Sequence, residues 1–454
     1  MTSPLLPSIE APAQLTKSGK PKAPKVNRSF ITLGARVLGS IIDWQEWIHR
    51  KVESVDLEPG DGSRRRVSFD CTPVGIELGE FSVPDVTTES RMVPLTLMAK
   101  ELLERFDLSD DAGRALPLVG SESNALMSGA ALGFIVWIQT GKKDKKLLEL
   151  WPTIWEIVTA EARQASKAAT LVISQLGLDS VAEQIFLEVA SNFLLIAVIP
   201  ESRAGHRQVI KLSYRWREGR MSNSFRRSAR RWLKNWAAGH GLASVSFTVE
   251  TGSMYAARSY HLEVVGPPEL LVRNMILPVG HNGVTPASLS GSNIIHAKSS
   301  YNRFGSILTS AHVFFELNPG TLLARMWWAA LGVVALYFIL VATPRSTETL
   351  LRSPDAATAL LLFVPALLIA LNARQQENVL AGQLLLPLRV DAILLSIVLF
   401  TSGGALVLGL PPHAVWSLWS VSLTLVLILF ATLTAGIVRL KAERYFEAKR
   451  LVTA

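Results

Sequence analysis

Residues 326–343 read MWWAALGVVALYFILVAT and contain no charged side chain. Three later stretches share this composition, namely residues 356–373, 392–410 and 414–438. At about 1.5 Å of rise per helical residue, roughly 20 residues cover the ~30 Å hydrocarbon layer of a bilayer. The sequence therefore predicts an all-α bundle of four transmembrane helices over residues 321–438.

The chain in front of these stretches has a different composition. Residues 1–324 carry 36 Lys and Arg and 31 Asp and Glu, of the 46 and 37 in the whole chain. This mixed charge is typical of a soluble region large enough to bury a core. We expect an α+β soluble region, which comprises a disordered basic tail at 1–29, a mainly helical domain with short strands at 30–184 and an antiparallel β-rich domain at 185–320.

Local periodicity supports this division. Apolar residues at helical spacing predict a helix over residues 30–55, and residues 124–140 predict a buried helix that is too short for a span. Residues 147–176 predict one or two further helices. Alternating or continuous apolar runs predict strands at residues 66–71, 193–199, 208–216, 243–250, 258–265, 270–277 and 307–317. Strands at this spacing favour a β-sandwich with an inserted basic helix.

Basic residues near the four spans are divided unequally between the two sides. One side receives Arg325, Arg374, Arg389, Arg439, Lys441, Arg444, Lys449 and Arg450. The other side receives only Arg345 and Arg352. We therefore expect a multi-pass protein of the inner membrane with both termini, including a basic tail at 439–454, in the cytoplasm. The absence of a secretory signal and the single cysteine, Cys71, agree with a reducing compartment, and we expect Cys71 to be a packed residue.

The predicted spans are poor in ionisable groups, which ion and proton pathways generally need. Arg389 and Asp391 lie at the entrance of the third span, where we expect them to reach the headgroups. The fourth span contains small hydroxyl residues that favour close helix packing, and these are Ser417, Ser420, Thr424 and Thr434. A pore lined by residues 401–404 stays open as an alternative.

Residues 203–234 form a basic segment with eleven Lys or Arg and one acidic residue. Within it, residues 224–236 fit an amphipathic helix. The predicted lipid- or anion-binding residues are Arg226, Arg227, Arg230, Arg231, Lys234, Trp232 and Trp236. Such a helix suits anionic lipid headgroups, at ~1 kcal/mol per basic residue near the surface. It also suits nucleic-acid phosphates, or it packs on the sheet through Phe225, Trp232 and Trp236 with its charges solvated.

The sequence has no recognisable catalytic or cofactor motif. It lacks a Walker loop, a dinucleotide-binding glycine fingerprint, a zinc-binding His-Glu-x-x-His and a nucleophile elbow. Among the eight histidines, His281 and His296 flank a Gly/Ser loop that also contains Ser288 and Ser290. Only a fold that brings these side chains together would make them a site. We therefore predict no catalytic, cofactor or metal residues.

Residues 106–118 read FDLSDDAGRALPL, and residues 259–264 read SYHLEV. Together with the C-terminal spans, they resemble a group of uncharacterised bacterial membrane proteins. This resemblance implies architecture only, namely a soluble N-terminal region followed by transmembrane helices.

These observations predict a membrane-anchored cytoplasmic sensor or binding protein. Its β-rich domain would bind a ligand, a lipid or a protein partner and would be coupled to the four-helix bundle, as in a bacterial signalling or defence effector. The expected partners are membrane lipids with anionic headgroups, other proteins or further copies of the chain, with nucleic acid as an alternative. A channel or transporter subunit gated by its cytoplasmic domain, and a membrane-bound enzyme with a site in the β domain, are the alternative functions.

Overall fold

The structure, a computed structural model, describes residues 26, 28–58, 62–77, 89–100, 104–217, 229–251, 257–277, 293–300, 309–343 and 378–453. The chain divides into two compact units. Unit 1 consists of Met1–Ile42, Gly75–Lys100 and Leu118–Glu201, and unit 2 consists of Asp43–Val74, Glu101–Pro117 and Ser202–Ala454.

The helices and strands are numbered in chain order. The helices are α1 (Arg28–Ile42), α2 (Trp44–Trp47), α3 (Ser121–Gln139), α4 (Asp144–Thr159), α5 (Ala162–Leu176), α6 (Ser180–Ser191), α7 (Ala229–Gly239), α8 (Leu322–Ala342), α9 (Val379–Val407) and α10 (Pro412–Thr453). The strands are β1 (Ile48–Leu57), β2 (Gly62–Cys71), β3 (Ser90–Ala99), β4 (Glu104–Ser109), β5 (Asn192–Pro200), β6 (Gln208–Arg217), β7 (Val245–Thr251), β8 (Ser259–Val265), β9 (Leu270–Ile276), β10 (Ile294–Ser300) and β11 (Thr309–Leu317).

Unit 1 is built around α3, which is packed on most sides. Glycines on α3 allow a tryptophan of α4 to approach, since a Cβ on Gly129 would lie 3.2 Å from the ring of Trp151. Phe30 of α1 packs edge-on against the same ring, at 4.7 Å between centroids. The antiparallel pair β3–β5 completes the unit. The prediction of a buried helix near residues 124–140 is therefore confirmed, because neighbouring helices cover its apolar surface.

The helix predicted over residues 30–55 is correct only in its first part. It ends at Ile42, and β1 begins at Ile48. The residues of β1 alternate between the two faces of a sheet, with Lys51, Glu53 and Val55 buried on one face. Pairing of β1 with strands on both of its edges overrides the helical spacing of its apolar residues.

The described residues of unit 2 form two sheets. The first has six strands in the order β10-β8-β1-β2-β6-β4, and the second has three in the order β7-β11-β9. All neighbouring strands are antiparallel except β1 and β8, which are parallel. Apolar residues of both sheets belong to one hydrophobic core that also includes residues of α8, α9 and α10. The predicted α+β region with antiparallel sheets is confirmed, and the parallel pair was not predicted because it joins strands that are distant in sequence.

The helices α8, α9 and α10 are long and apolar enough to cross a membrane. The remaining predicted span, residues 356–373, lies outside the described residues. The Tyr337 hydroxyl of α8 lies 2.6 Å from Ser402 Oγ of α9, and Trp327 Nε1 donates to Thr434 Oγ1 of α10 at 2.9 Å. Thr434 therefore lies at a helix contact, as predicted. All four hydroxyl residues, Ser417, Ser420, Thr424 and Thr434, donate to carbonyls one turn earlier in their own helix.

Candidate functional site

The basic helix α7 covers part of the predicted lipid- or anion-binding segment. Arg226 and Arg227 lie outside the described residues, whereas Arg230 and Arg231 belong to the first turn of α7. Among the remaining predicted residues, Lys234 is exposed, Trp232 is 65% exposed and Trp236 is partly buried. Leu233 is also 56% exposed. The alternative in which Trp232 packs on the sheet does not fit this exposure, and α7 presents two large exposed apolar side chains.

A short turn, Gly239-His240-Gly241, ends α7 and lies between α9 and α10; we name it the 239–241 turn. A Cβ on Gly239 would lie 2.8 Å from the Leu384 carbonyl oxygen of α9. Gly241 has φ +74, and a Cβ there would lie 2.8 Å from Leu440 of α10. The carbonyl oxygen of His240 contacts Gly436 of α10 so closely that no side chain fits at that position. Glycine thus allows the backbone of the turn to touch two helices directly.

His240 is the buried centre of this turn, with 0% exposure. Its Nδ1 lies 2.7 Å from the Trp236 carbonyl oxygen, and its Nε2 lies 2.6 Å from Asp391 Oδ2 of α9. Because a carbonyl oxygen only accepts hydrogen bonds, Nδ1 carries a hydrogen. The second nitrogen and the carboxyl then share one proton, either as an ion pair or as a neutral pair.

The prediction that the Asp391 side chain reaches out to the lipid headgroups is therefore wrong, because protein encloses it. This residue is 7% exposed and lies inside the protein. The reason is His240, which lies 151 residues earlier in the chain and supplies a hydrogen-bond partner that no local pattern reveals.

An ion-pair network joins the second sheet to α10 beside the turn. Arg439 of α10 donates to the Gly241 carbonyl oxygen and to Glu316 of β11, each at 3.2 Å. Arg273 of β9 contacts Glu316 at 2.7 Å and Glu443 of α10 at 3.1 Å. Burial raises the pKa of Glu316, while the two arginines oppose that rise. The turn and this network therefore attach α7 and the second sheet to the same part of α10.

A second buried polar cluster lies on the inner face of the six-stranded sheet. Glu53 accepts hydrogen bonds from Arg65 at 3.2 Å and from the Tyr260 hydroxyl at 2.9 Å. Burial lowers the pKa of Lys51 and raises the pKa of Tyr260 well above its ordinary value. On the same face Cys71 is fully buried, and burial raises its pKa to about 12. The prediction that Cys71 is a packed residue is confirmed, because a protonated, inaccessible thiol is inert.

Two histidines of the first sheet, His261 of β8 and His296 of β10, lie side by side. His261 Nδ1 lies 3.2 Å from His296 Nε2, and His261 Nε2 lies 3.1 Å from Ser259 Oγ. Burial, with added repulsion from neighbouring cationic groups, lowers the pKa of His261 to about 4. His281, Ser288 and Ser290 lie outside the described residues. The described part of the chain contains no group of three His, Cys, Asp or Glu placed to hold a metal ion.

No known family model matches the chain, and no curated protein has a significantly similar sequence. The 239–241 turn joins a basic helix to three apolar helices. Sequence reasoning missed it, although two local signals were present: glycines on both sides of His240, and a single acidic residue, Asp391, directly before an uncharged stretch.

Proposed function

We propose that this protein is a membrane-anchored sensor whose basic helix α7 binds anionic lipid headgroups and is coupled to a transmembrane bundle. The soluble region and both termini lie in the cytoplasm, and the anchor lies in the inner membrane. The two sheets form a sandwich, and residues 356–373 supply a fourth transmembrane helix. The observation that carries the proposal is the insertion of the 239–241 turn between α9 and α10.

The directions of α8 and α9 support a fourth transmembrane helix. Leu323, in the first turn of α8, lies beside the 239–241 turn, and so do Leu384 and Pro387 in the first half of α9. Further along, Tyr337 of α8 contacts Ser402 of α9. The two helices therefore run parallel, which favours a return of the chain across the bilayer between them. The uncharged stretch 356–373 has the length for this return, and four crossings bring both termini to one side.

The 239–241 turn lies at the edge of the apolar layer. Asp391 directly precedes the uncharged residues 392–410, and Gly436 lies near the end of the uncharged residues 414–438. Both contact the turn, one through the imidazole of His240 and the other through its carbonyl oxygen. Since α7 ends in this turn, its side chains are held at the depth of the lipid headgroups.

The surface of α7 suits an anionic interface. Trp232 and Leu233 are both exposed, and aromatic and aliphatic side chains at this depth gain free energy from contact with the acyl boundary. Three basic residues of the helix add ~1 kcal/mol each near an anionic surface. A nucleic-acid ligand would use the charges but would leave Leu233 in water, so lipid accounts for more of the surface.

Brominated lipids test this proposal on the full-length protein. In nanodiscs, brominated phosphatidylglycerol should quench Trp232 more strongly than brominated phosphatidylcholine, with the Trp232 signal taken as the difference between wild type and Trp232→Phe. The preference should fall when Arg230, Arg231 and Lys234 are replaced by glutamine. It should also fall when salt is raised from ~0.1 M to ~1 M, because the Debye length shrinks from ~10 Å to ~3 Å.

A matched control removes the same charge elsewhere. Lys143, Arg163 and Lys167 are exposed basic residues of unit 1, and their replacement by glutamine should leave the lipid preference unchanged. Equal quenching by the two lipids in the wild type would overturn the lipid assignment. Salt-dependent binding of an oligonucleotide, lost with the α7 substitutions, would replace it with the nucleic-acid alternative.

A further inference from the structure

We infer that the His240–Asp391 contact is a proton-controlled latch. The 239–241 turn stays between α9 and α10 while the pair shares one proton, and it is released when the pair gains a second proton or loses the shared one. Cytoplasmic pH would then set how firmly α7 is coupled to the membrane helices, a consequence that rests on the proposed function. The latch itself rests only on the geometry of the pair.

The proton count follows from the hydrogen bonds. Trp236 presents a carbonyl oxygen to Nδ1 of His240, which fixes one hydrogen there. A separation of 2.6 Å between Nε2 and Asp391 Oδ2 requires one further proton between them. Whether that proton resides on nitrogen or oxygen, the pair has no net charge. This state satisfies both partners inside the protein.

Either departure from this state leaves an uncompensated charge. A second proton creates a histidinium facing a neutral carboxyl group. Loss of the shared proton leaves a carboxylate facing the lone pair of a neutral imidazole. Both charges would be buried, since His240 is fully buried and Asp391 nearly so. A buried charge without a partner is strongly unfavourable, so release of the turn from between α9 and α10 lowers the free energy.

Several charged side chains lie on the elements that pack around the pair. The charged groups on the elements packed here are Arg230, Arg231 and Lys234 on α7, Arg325 on α8, Arg389 on α9, Glu316 on β11, and Arg439, Lys441, Glu443, Arg444, Glu447, Lys449 and Arg450 on α10. Arg439 is engaged with Gly241, Glu316 and Glu443, and Lys234 is exposed. Among the described residues, Asp391 makes its side-chain hydrogen bond to His240.

Because it is tightly packed, the 239–241 turn is expected to be either bound between α9 and α10 or released, without intermediate positions. The turn touches the backbone of α9 at Leu384 and the backbone of α10 at Gly436 without room for a methyl group. Packed contacts of this kind have discrete arrangements and do not deform continuously. Release of the pair is therefore expected to expose the amides of the turn together. His240 N, bonded to the Trp236 carbonyl, and Leu242 N, bonded to the Ala237 carbonyl, report that exposure.

The test is hydrogen exchange of these amides in the full-length protein, in nanodiscs of neutral phosphatidylcholine. After correction for intrinsic rates, wild-type protection should be greatest at an intermediate pH and should fall at least tenfold on both the acid and the alkaline side. Asp391→Asn keeps a hydrogen-bonding group but cannot become an anion, so its alkaline loss should disappear and its acid loss should remain. The double variant His240→Asn with Asp391→Asn should show no pH dependence.

Two controls keep the result decisive. Amides of α3 in unit 1 should show one pH response in all three proteins, which separates the latch from general unfolding. If Asp391→Asn does not insert, ¹⁵N-histidine spectra of the wild type should show His240 changing protonation at the pH of one of the two losses, the acid loss where the shared proton resides on Asp391 and the alkaline loss where it resides on His240. A flat wild-type profile, or losses that Asp391→Asn leaves unchanged, would overturn the latch. Because neutral lipid is used, failure of lipid binding by α7 would not affect these outcomes.

Discussion

Gly436→Ala is the most direct perturbation of the 239–241 turn. The added Cβ would overlap the carbonyl oxygen of His240, far inside the 3.0 Å below which such contacts essentially never occur. The obstacle is backbone on both sides, so no side-chain rotation relieves it. We expect α10 and the turn to separate and the His240–Asp391 hydrogen bond to break.

The magnitude follows from the geometry. That bond is 2.6 Å long and leaves the hydrogen-bonding range at about 3.2 Å, so it tolerates a shift of only ~0.6 Å. Breaking a buried pair costs about 3–5 kcal/mol. Replacing glycine by alanine within a helix stabilises the folded state by about 0.5–1 kcal/mol. The free energy of unfolding should therefore fall by about 2–4 kcal/mol.

Unfolding by SDS titration in mixed micelles, followed by tryptophan fluorescence, measures this difference. Gly332→Ala in α8 and Gly404→Ala in α9 are matched controls, since a Cβ at either position meets no atom within 4 Å. Both controls should be neutral or slightly stabilising. If Gly436→Ala proved as stable as these controls, the turn would not be seated as described and the coupling argument would fail.

Three further predictions concern other parts of the chain. Tyr337→Phe removes the hydroxyl that contacts Ser402 and should lower stability in micelles by ~0.6 kcal/mol, up to about 1.7; an unchanged SDS midpoint would contradict this contact. Cys71 should resist iodoacetamide at pH 8 until the protein is unfolded, as measured by mass spectrometry, because the thiol is buried with a pKa of about 12. Burial raises the pKa of Glu188 from 4.5 to about 7, so the folded state binds more protons in this range and stability should fall as pH rises from 4.5 to 7. Glu188→Gln should flatten this slope in thermal melts, and an unchanged slope would refute the assignment.

Much of the secondary structure could be predicted from the sequence, because it depends on local composition. The uncharged stretches correspond to α8, α9 and α10, and the alternating run at residues 208–216 corresponds to β6. Residues 124–140 were correctly separated from the spans by their short uncharged length and by the distribution of basic residues. In each case the relevant signal lies within about 20 residues of sequence.

Features that depend on distant partners could not be predicted. The residues of β1 fit a helix equally well by spacing, and only β2 and β8 decide that they form a strand. Asp391 was expected at the headgroups because its partner His240 belongs to another part of the chain. The contact of Gly436 with the His240 carbonyl oxygen could not be predicted, because a glycine in a helix can be present for many different reasons.

The distance between His240 and Asp391 along the chain has a consequence for biogenesis. His240 is synthesised 151 residues before its partner. At typical translation rates of about 5–20 residues per second, the ribosome needs roughly 8–30 s to reach Asp391. During this interval residues 239–241 have been synthesised, but α9 and α10, which they contact, have not. In the proposed membrane arrangement, the 239–241 turn can therefore dock only after α9 and α10 have been inserted, so integration into the membrane would precede the last step in folding of the soluble region.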